Sequence, residues 1–396
     1  MPASHSPASL DLFEASLRII AAGQASSGAF VASPTFSQYP YAWLRDGAFV
    51  AEGLDLAGRL DRSGLFHGWV ARIIVRSRAG MGRAMARARR GQLPAADEYL
   101  HCRYDLDGRV ADADWPTFQL DGPGIWLWSL AHHEHHGGVV AGEVREAARL
   151  AARYLAVLWP LPCADAWEES PEHVHTSTLA AIRAGLEAAV SLDRRLAREP
   201  EVATARAAIA GRLSTFRGAF TKWSGSTAVD ASLLWMAAPY ETLAPTEPRF
   251  AATLSRIESE LITADGGVHR YREDTFYGGG AWPLLTAAYG RVLLRRGAPG
   301  DLERAWAALR WIERQADEQG RLPEQVADHA FAPHRVGEWR ARWGESARPL
   351  LWSHAAYLAL HVELGAHERE TEAGARPEPE ARPEPGAAGR KDLAAP

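Results

Sequence analysis

Two acidic segments of the chain carry glutamates that could exchange protons with a bound substrate. The first, residues 165–169, reads Asp-Ala-Trp-Glu-Glu and follows a Trp-Pro-Leu-Pro run that ends a predicted helix. Of its two carboxyls, Glu168 and Glu169, one could be desolvated against the Trp167 ring and kept protonated, while the other stays ionised and binds hydroxyls. The segment alone is also explained by negative charge at a helix N-terminus.

The second candidate acid lies in a loop that a proline restrains. Residues 320–326 read Gly-Arg-Leu-Pro-Glu-Gln-Val, so Glu324 follows Pro323 and precedes an amide, Gln325, that could orient water or substrate. A solvated turn would have the same composition. Neither acidic segment identifies a reaction by itself.

Two further clusters combine aromatic rings with groups that bind hydroxyls. In residues 39–47, Arg45 precedes Asp46 at the head of a predicted helix, where a fork of donors and a pair of acceptors could face vicinal hydroxyls. A helix-start ion pair is the alternative. In residues 268–280, Arg270 and neighbouring charges precede three glycines that allow close backbone approach, although a charged surface loop fits equally. These glycines do not form a phosphate loop, because no Lys-Ser/Thr follows them.

The chain has fifteen tryptophans in 396 residues, and several lie beside charged residues. Trp43 is close to Arg45, Trp115 follows two aspartates, and Trp167 precedes Glu168. An indole face next to carboxylates and guanidinium groups suits a sugar, which offers an apolar ring face and a polar rim. Most of the fifteen are expected in the core, and these three are candidates for a sugar site.

Composition and targeting signals argue against several other classes of protein. A net charge of −5 gives no reason to expect a nucleic-acid partner. No apolar run reaches eighteen residues without charges, so no membrane span is expected. The N-terminus lacks a basic region followed by an apolar run, so a cytoplasmic location is expected. The two cysteines, Cys102 and Cys163, are then expected to be free thiols.

Neither a metal nor a cofactor is expected from the motifs. Four histidines flank Glu134 near a helix end, at His132, His133, His135 and His136. Their spacing does not match His-Glu-x-x-His, and a solvated helix end explains them. The chain has no Gly-x-Ser-x-Gly nucleophile elbow, and neither cysteine has the neighbours of a thiol nucleophile.

Helical periodicity dominates the sequence, and strand signals are limited to a small hairpin at 100–110. Short links join the predicted helices in pairs, and long loops at 26–43, 91–121, 160–172, 262–278 and 319–348 separate the pairs. Helices are predicted at 8–25, 44–59, 63–80, 122–136, 141–158, 173–192, 198–218, 229–237, 247–261, 279–297, 299–318 and 349–366.

The long loops hold nearly all of the clusters described above, and loops on a rigid scaffold are where catalytic groups usually lie. We therefore predict an all-α fold, an (α/α)6 barrel of about twelve helices that forms a single catalytic domain at 1–366. An open solenoid is the alternative, but no fixed sequence period supports it. Residues 367–396, rich in Pro, Glu and Ala, are predicted to be a disordered tail.

Together these segments resemble glycoside hydrolase family 15, the glucoamylases, glucodextranases and their relatives. The resemblance runs in the family's order from about Phe36 to Leu364, although a proline in the second segment is displaced from its family position. Any one of these matches is weak evidence for the family, but six of them in the family's order are specific to it. The matching segments are 41–46 (Tyr-Ala-Trp-Leu-Arg-Asp), 115–123 (Trp-Pro-Thr-Phe-Gln-Leu-Asp-Gly-Pro), 166–169 (Ala-Trp-Glu-Glu), 270–275 (Arg-Tyr-Arg-Glu-Asp-Thr), 322–325 (Leu-Pro-Glu-Gln) and 346–353 (Ser-Ala-Arg-Pro-Leu-Leu-Trp-Ser).

The resemblance implies hydrolysis with inversion at the anomeric carbon. Protonated Glu168 would act as general acid on the glycosidic oxygen, and ionised Glu324 would act as general base on the water that attacks C1, releasing β-glucose. Their carboxyls would stand about 6.5–9.5 Å apart to admit that water.

The same resemblance implies a set of substrate contacts. Three aromatic side chains would line the developing oxocarbenium ion, an Arg-Asp pair would hold O4 and O6, a second Arg and Glu pair would contact hydroxyls near the cleaved bond, and further tryptophans would close the pocket. In that order the residues are Tyr39, Tyr41 and Trp43; Arg45 and Asp46; Arg270 and Glu169; and Trp115 and Trp352. Trp167 is a further expected substrate contact, and Ser346 is expected to lie behind the residues that touch substrate.

The size of the chain narrows the expected substrate. Neither the N-terminal β-sandwich of many bacterial members nor a starch-binding module has room in 396 residues. The family includes compact enzymes that hydrolyse isomaltose, and this chain is most similar to that layout. A small α-glucoside with an α-1,6 linkage is the expected substrate, with α-1,4 sugars and trehalose as alternatives. A catalytically inactive sugar-binding protein is the alternative of another class, and the presence of both acids argues against it. The sequence predicts no oligomeric state.

Overall fold

The computed structural model of the protein describes residues 11–111 and 115–374. Within these residues, two strands, β1 (Ala42–Trp43) and β2 (Arg103–Tyr104), pair antiparallel. The α-helices, numbered in chain order, are α1 Leu12–Ala22, α2 Leu44–Leu56, α3 Leu60–Arg76, α4 Arg78–Ala88, α5 Asp121–His135, α6 Gly142–Leu158, α7 Thr176–Leu192, α8 Pro200–Ser214, α9 Pro248–Glu260, α10 Pro283–Arg296, α11 Asp301–Glu313, α12 His334–Trp343 and α13 Leu351–Gly374.

Six segments contact one another in a closed inner ring. Going round it, α2 packs on α5, α5 on α7, α7 on the short 3-10 helix Ala231–Met236, that helix on α10, α10 on α13, and α13 again on α2. Helices α1, α3, α6, α8, α9 and α11 pack outside the ring. Along the chain α1 precedes the first inner segment, and each of the other five lies between two inner segments. This alternation of outer and inner elements confirms the predicted (α/α)6 barrel.

The sequences of the helices explain which layer each one joins. The outer helix α6 buries one face through Val144, Ala147, Ala151 and Leu155, the three- and four-residue spacing of an amphipathic helix. The inner helices α2 and α7 are buried on almost every side. They therefore lack a polar face and need small residues wherever two backbones approach.

Glycines permit the closest helix contact in the ring, between α5 and α7. A Cβ added to Gly124 would lie 2.7 Å from the carbonyl oxygen of Ala181, and one added to Gly185 would overlap the carbonyl oxygen of Gly124. Real Cβ atoms do not tolerate such distances. Both positions therefore require glycine for this packing.

A buried network of ion pairs joins three of the inner helices to one another. Arg291 of α10 donates to Glu52 of α2 at 2.5 Å and to Glu363 of α13 at 2.7 Å and 3.0 Å. The Arg291 and Glu52 side chains are almost fully buried. Three inner helices are thus joined by one guanidinium group.

The structure corrects several predicted boundaries. Helices α4 and α12 were not predicted as separate elements, and the segment predicted as a helix at 229–237 is a 3-10 helix. The hairpin expected at 100–110 is reduced to β2 and one bridge from Tyr104 to Val110, around Gly108 in the left-handed region. Helix α13 continues to Gly374, beyond the end predicted at 366, and the division into a domain at 1–366 and a tail at 367–396 stays a prediction. The rest of the predicted tail, residues 375–396, lies outside the described residues.

All five predicted long loops end at the start of an inner helix. They lead into α2, α5, α7, α10 and α13 respectively. Because these N-termini meet at one end of the ring, residues far apart in the chain are brought together there. That end also carries the partial positive charge of the helix N-termini, which favours carboxylates.

Candidate active site

A pocket of about 400 Å³ opens at the N-terminal end of the inner ring. This volume lies in the usual range for small-molecule sites. Both candidate acids, Glu168 and Glu324, line it. Nine of the ten predicted substrate-binding residues line it as well: Tyr39, Trp43, Arg45, Asp46, Trp115, Trp167, Glu169, Arg270 and Trp352.

The remaining predicted contact, Tyr41, does not line this pocket. Its ring lies under the guanidinium group of Arg103, 4.7 Å away, in an adjoining groove. Trp43, two residues further along the chain, lines the pocket itself. The structure therefore does not bring Tyr41 into the pocket with the other nine residues, and its contact with substrate stays a prediction.

Ser346 lies behind the base loop, as predicted. Its hydroxyl accepts a hydrogen bond from the backbone N–H of Gln325 at 3.2 Å. The neighbouring Glu324 N–H donates to the Ala347 carbonyl at 2.8 Å. The loop that carries Glu324 is thus tied by its backbone to the segment leading into α13.

Glu168 lies in a tight loop whose backbone adopts the left-handed region, with φ of +70°. For a residue with a Cβ this conformation costs about 1–2 kcal/mol. The Asp165 carboxyl offsets the cost by accepting hydrogen bonds from the N–H groups of Trp167 at 2.9 Å and Glu169 at 3.0 Å. The Glu168 N–H closes the loop on the Asp165 carbonyl. Asp165 therefore holds the conformation that places Glu168 in the pocket wall.

Both carboxyl oxygens of Glu168 accept hydrogen bonds from ring or amide N–H groups. Trp43 donates to Oε1 at 2.6 Å, Trp115 donates to Oε2 at 2.7 Å, and Gln119 donates to Oε1 at 3.2 Å. The Arg45 guanidinium is 3.9 Å from Oε1. The carboxyl group is therefore fixed in direction by two indoles from different loops.

Glu324 has a drier environment than Glu168. Its side chain is 4% exposed, Oε1 accepts a hydrogen bond from the Tyr39 hydroxyl at 2.9 Å, and Oε2 is buried without a hydrogen-bond partner among the described residues. Burial raises the pKa of Glu324 to about 8, although the Tyr39 hydrogen bond and the Arg270 charge lower it. Glu324 therefore holds its proton at neutral pH in the ligand-free pocket.

Arg45 and Asp46 lie in the first turn of α2, on the pocket wall. Arg45 donates to Gln119 at 2.9 Å and to Asp121 at 3.3 Å, so its position is fixed from behind. Its Nε and the Asp46 Oδ1 have no hydrogen-bond partner among the described residues, and both atoms are buried. Burial also raises the pKa of Asp46 to about 6, against the lowering effect of Arg45. These polar atoms suit the hydroxyls of a bound sugar.

Arg270 and Glu169 form a second polar group. Arg270 is bound bidentately by Asp274, at 2.7 Å and 2.5 Å, and its NH2 lies 3.4 Å from Glu169 Oε1. The Tyr271 hydroxyl donates to Glu169 Oε2 at 2.5 Å. Glu169 is thereby held beside Glu168 with about a third of its side chain exposed. Glu169 can accept a hydrogen bond from a substrate hydroxyl that the more deeply buried residues do not reach.

The floor of the pocket is aromatic. Trp352, in the first turn of α13, stacks on Phe49 of α2 with ring centroids 4.9 Å apart, and lies 5.5 Å from Trp235. These rings fill the inside of the ring of helices beneath Arg45, whose guanidinium is 5.7 Å from the Trp352 ring. The pocket therefore ends blindly.

A second cavity, which we call the vestibule, adjoins the pocket and has a volume of about 590 Å³. The two share Tyr39, Trp115 and Phe276. Helix α12 forms one side of it, anchored where Trp339 donates to the Thr275 carbonyl at 3.2 Å. Its other lining residues are Phe36, Ser37, Gln38, Tyr41, Arg103, Tyr277, Trp339, Arg342 and Trp343.

Sequence reasoning missed Arg103, the most unusual residue of the vestibule. Its guanidinium lies 4.0 Å from the Trp115 ring, 4.7 Å from Tyr41 and 5.4 Å from Trp43. The residue is 3% exposed, and no carboxylate pairs with it within the described residues. The signal available was a charged residue inside a short strand, but two of the three rings come from another loop and the third, Trp115, is twelve residues away in the sequence. Phe276 and Trp282 also line the pocket and were not singled out.

Comparison with known proteins agrees with this arrangement. The family model described as glycosyl hydrolases family 15 matches residues 14–311. The chain belongs to this family. It is therefore a glycoside hydrolase, and the predictions of family, fold and enzyme class are confirmed.

Individual members of family 15 are similar over most of their length. An isomaltose glucohydrolase of Kribbella flavida is 41% identical over 370 residues, which cover 91% of this chain and 95% of that protein. A solved glycosidase variant with one glutamate changed to alanine, in complex with glucose, is 41% identical, has a TM-score of 0.83, and covers 89% of this chain and 96% of its own. A trehalase of Thermoplasma acidophilum is 25% identical over 334 residues, covering 76% of this chain and 55% of that protein.

None of the helices in residues 11–111 and 115–374 combines the length and the apolar character that crossing a membrane requires.

Proposed function

We propose that this family 15 hydrolase is an inverting, exo-acting α-glucosidase that releases β-glucose from the non-reducing end of isomaltose and short α-1,6-gluco-oligosaccharides. The observation that carries the proposal is the meeting of two candidate acids in one blind pocket of about 400 Å³. The 41% identity to an isomaltose glucohydrolase along nearly the whole chain favours the α-1,6 linkage. Trehalose is the second candidate, favoured by the more distant trehalase relative.

The terminal glucose would occupy the pocket above Trp352. The blind end admits only the end of a chain, which accounts for exo action. Asp46 Oδ1 and Arg45 Nε form an ion pair at 3.4 Å but have no hydrogen-bond partner among the described residues, so both are available to the hydroxyls of that glucose. A solved relative with bound glucose is consistent with a glucose-sized site. The second sugar would extend past Trp115 and Glu169 into the vestibule.

Glu168 is proposed as the general acid that protonates the glycosidic oxygen. A protonated carboxyl has one O–H to donate, and that O–H cannot point at an indole N–H. The oxygen that carries the proton can still accept from its indole, so the O–H must lie on the side of the carboxyl that faces the substrate oxygen. The Trp115 contact to Oε2 is the one nearer the vestibule, because Trp115 lines both cavities whereas Trp43 lines the pocket alone.

Glu324 is proposed as the general base. Its unpartnered Oε2 can bind and deprotonate the attacking water, while Tyr39 holds Oε1. Because the pKa of Glu324 is about 8 in the pocket, Glu324 is ionised in only a minority of the molecules at neutral pH, and in these the base is ready to act. The base in that form is strong, since a carboxylate with a higher pKa binds a proton more tightly.

The roles of Glu168 and Glu324 can be separated with a substrate whose leaving group departs without protonation by a general acid. α-Glucosyl fluoride has a good leaving group, so Glu168→Gln should hydrolyse it far better, relative to the native enzyme, than it hydrolyses isomaltose. Glu324→Gln should lose both activities by about two orders of magnitude or more, and azide should restore turnover by replacing the water and forming β-glucosyl azide. If Glu168→Gln were rescued by azide and Glu324→Gln kept its fluoride activity, the roles would be reversed.

The substrate and the stereochemistry are tested on the native enzyme. Proton NMR of fresh digests should show β-glucose first, and initial rates should be highest on isomaltose, compared with maltose and trehalose. If kcat/KM were higher on trehalose than on isomaltose, trehalose would be the preferred substrate. No hydrolysis of any of the three would favour an inactive sugar-binding protein.

We propose the cytoplasm as the site of action. Cys102 and Cys163 are both free and buried, and unpaired thiols are typical of reducing compartments. Fractionation of the source cells, with the activity measured in each fraction, would test the location.

A further inference from the structure

A buried cluster of histidines and a carboxylate lies at the end of the barrel opposite the pocket. Asp46 on the pocket wall is in the first turn of α2, whereas Asp55 is in its last turn, roughly 13 Å along the helix axis at 1.5 Å per residue. Asp55 meets His67 of α3 and His133 of α5, and one potential ligand atom from each lies within 4.8 Å of the others. All three residues are buried.

Several polar atoms of this cluster have no hydrogen-bond partner among the described residues. Both ring nitrogens of His67 are unpartnered, although the residue is only 2% exposed. Asp55 Oδ2 and His132 Nδ1 are also buried and unpartnered, and they lie 3.9 Å apart. Buried polar atoms are nearly always satisfied. Of the three clustered residues, His67 and Asp55 keep unused ligand atoms, whereas His133 Nδ1 is hydrogen-bonded to Asp55 Oδ1 and to Ser63, so an ion would replace the Asp55–His133 contact. The unused atoms of His67 and Asp55 point to a missing common partner.

We propose that Asp55, His67 and His133 bind one divalent zinc ion that joins α2, α3 and α5. Imidazole nitrogen and carboxylate oxygen are the zinc ligands expected when thiolates are absent.

The distances allow the ion with small side-chain movements. Asp55 Oδ1 and His133 Nδ1 are 2.9 Å apart, and the third ligand atom lies within 4.8 Å of each. Ligands at zinc–ligand distances of about 2.0–2.2 Å stand roughly 3.3–3.5 Å apart in a tetrahedron. The Ser63 hydroxyl, 3.1 Å from His133 Nδ1, and His132 Nδ1 are at hand for the fourth position or for orienting Asp55.

The ion has a structural role in this position. It is distant from the catalytic pocket and enclosed by three helices, and two of them, α2 and α5, carry pocket residues at their other ends. A closed site without an open position for substrate is typical of structural zinc. The ligands come from three helices, which is why the spacing of the histidines at 132–136 gave no zinc motif and the sequence predicted no metal.

The direct test is the metal content of the untagged, full-length native protein by inductively coupled plasma mass spectrometry. The expected result is about one zinc ion per chain. Chelator treatment should remove it and lower the melting temperature, and added Zn²⁺ should restore both. Co²⁺ in its place should give the visible absorption bands of a tetrahedral site. A metal-free protein that neither binds Zn²⁺ nor changes its melting temperature would overturn the proposal.

A substitution of His67 distinguishes a bound ion from a buried polar network, because the two predict different changes in the melting temperature. His67→Phe removes unpartnered polar atoms, so without an ion it should leave the melting temperature unchanged or raise it. If His67 is a zinc ligand, the variant should lose the metal and melt at a lower temperature. His135→Ala, at an exposed histidine on the same helix end, is the control and should keep the metal. A His67→Phe protein that still binds zinc as the native chain does would also overturn the proposal.

Discussion

The Tyr39 hydroxyl donates a 2.9 Å hydrogen bond to Oε1 of Glu324 and leaves Oε2 of the same carboxyl group unpartnered. The bond orients the carboxyl and also opposes the burial that raises its pKa to about 8. Tyr39 thus affects both the direction and the proton affinity of the proposed base. Substitution of Tyr39 should therefore change both kcat/KM and its dependence on pH.

The native enzyme should show a bell-shaped dependence of kcat/KM on pH, with the alkaline limb near pH 8. Catalysis needs one proton on the pair of Glu168 and Glu324, and above the pKa of Glu324 the pair has lost it. Tyr39→Phe should move this limb to higher pH, because a bond that lowers the pKa is gone. It should also reduce kcat/KM at the optimum by about 10- to 100-fold, since a hydrogen bond to a charged group contributes about 1.5–3 kcal/mol.

Tyr41→Phe is the matched control for this experiment. Tyr41 lies two residues away but outside the pocket, against Arg103. Removing the Tyr41 hydroxyl should leave the pH dependence of kcat/KM unchanged. A profile that shifted in Tyr41→Phe and not in Tyr39→Phe would contradict the placement of both tyrosines.

The fold could be predicted because its layers differ in sequence pattern. Outer helices such as α6 have one apolar face, and the long loops between helix pairs all lead to the same end of the inner ring. Helix α12 was missed because none of its residues is buried, so it has no apolar stripe to detect. Its Trp339 and Trp343 cover the vestibule instead of a core.

The candidate site could be predicted where its residues form contiguous motifs. Glu168 and Glu324 each have matching neighbours in sequence, and both line the pocket. Arg103 could not be found in this way, since its three aromatic neighbours come from residues 41–43 and 115 and meet it only in the folded chain. Tyr41 lies in the vestibule rather than in the pocket, a difference that its sequence neighbours do not reveal.

The buried guanidinium of Arg291 should be needed for stability. Arg291→Ala leaves Glu52 and Glu363 facing each other without their shared cation, and breaking a buried ion pair on one side costs about 3–5 kcal/mol. Urea unfolding should show this loss. The exposed pair of Arg89 and Glu201 is the control, and Arg89→Ala should cost less than about 1 kcal/mol. Equal losses in the two variants would contradict a special role for the buried network.

The stability of the protein should depend on the protonation of Glu324. Its pKa is near 8 in the folded chain and about 4.5 when exposed in the unfolded chain. Between these values the unfolded chain gives up the proton and the folded chain keeps it. The free energy of unfolding therefore falls as the pH rises through this range, by a total on the order of 5 kcal/mol above pH 8.

Glu324→Gln has no proton to lose, so its stability relative to the native protein should grow with pH. Urea unfolding at about pH 5 should show little difference, and at about pH 9 the variant should be the more stable by several kcal/mol. Glu338→Gln, at an exposed position, should keep the pH dependence of the native protein. A Glu324→Gln advantage of the same size at both pH values would rule out the raised pKa.

Arg103 should contribute to binding of the leaving sugar and little to the reaction of the terminal glucose. It lies in the vestibule, where its guanidinium has aromatic neighbours and a buried Nε without a partner in the described residues. Arg103→Met keeps an apolar side chain against Trp115 but removes the donors. We expect KM for isomaltose to rise about tenfold, the equivalent of about 1.4 kcal/mol, with kcat less affected.

α-Glucosyl fluoride supplies the control for Arg103, because it has no leaving sugar to occupy the vestibule. Its kcat/KM should be unchanged in Arg103→Met. A parallel loss on fluoride and isomaltose would mean that Arg103 acts through Trp115 or Trp43, both of which it contacts and both of which orient Glu168. Because Arg103→Lys keeps the charge, it should recover part of the isomaltose affinity if the donors bind the leaving sugar, and it should recover none if only the planar stacking of the guanidinium on these rings matters.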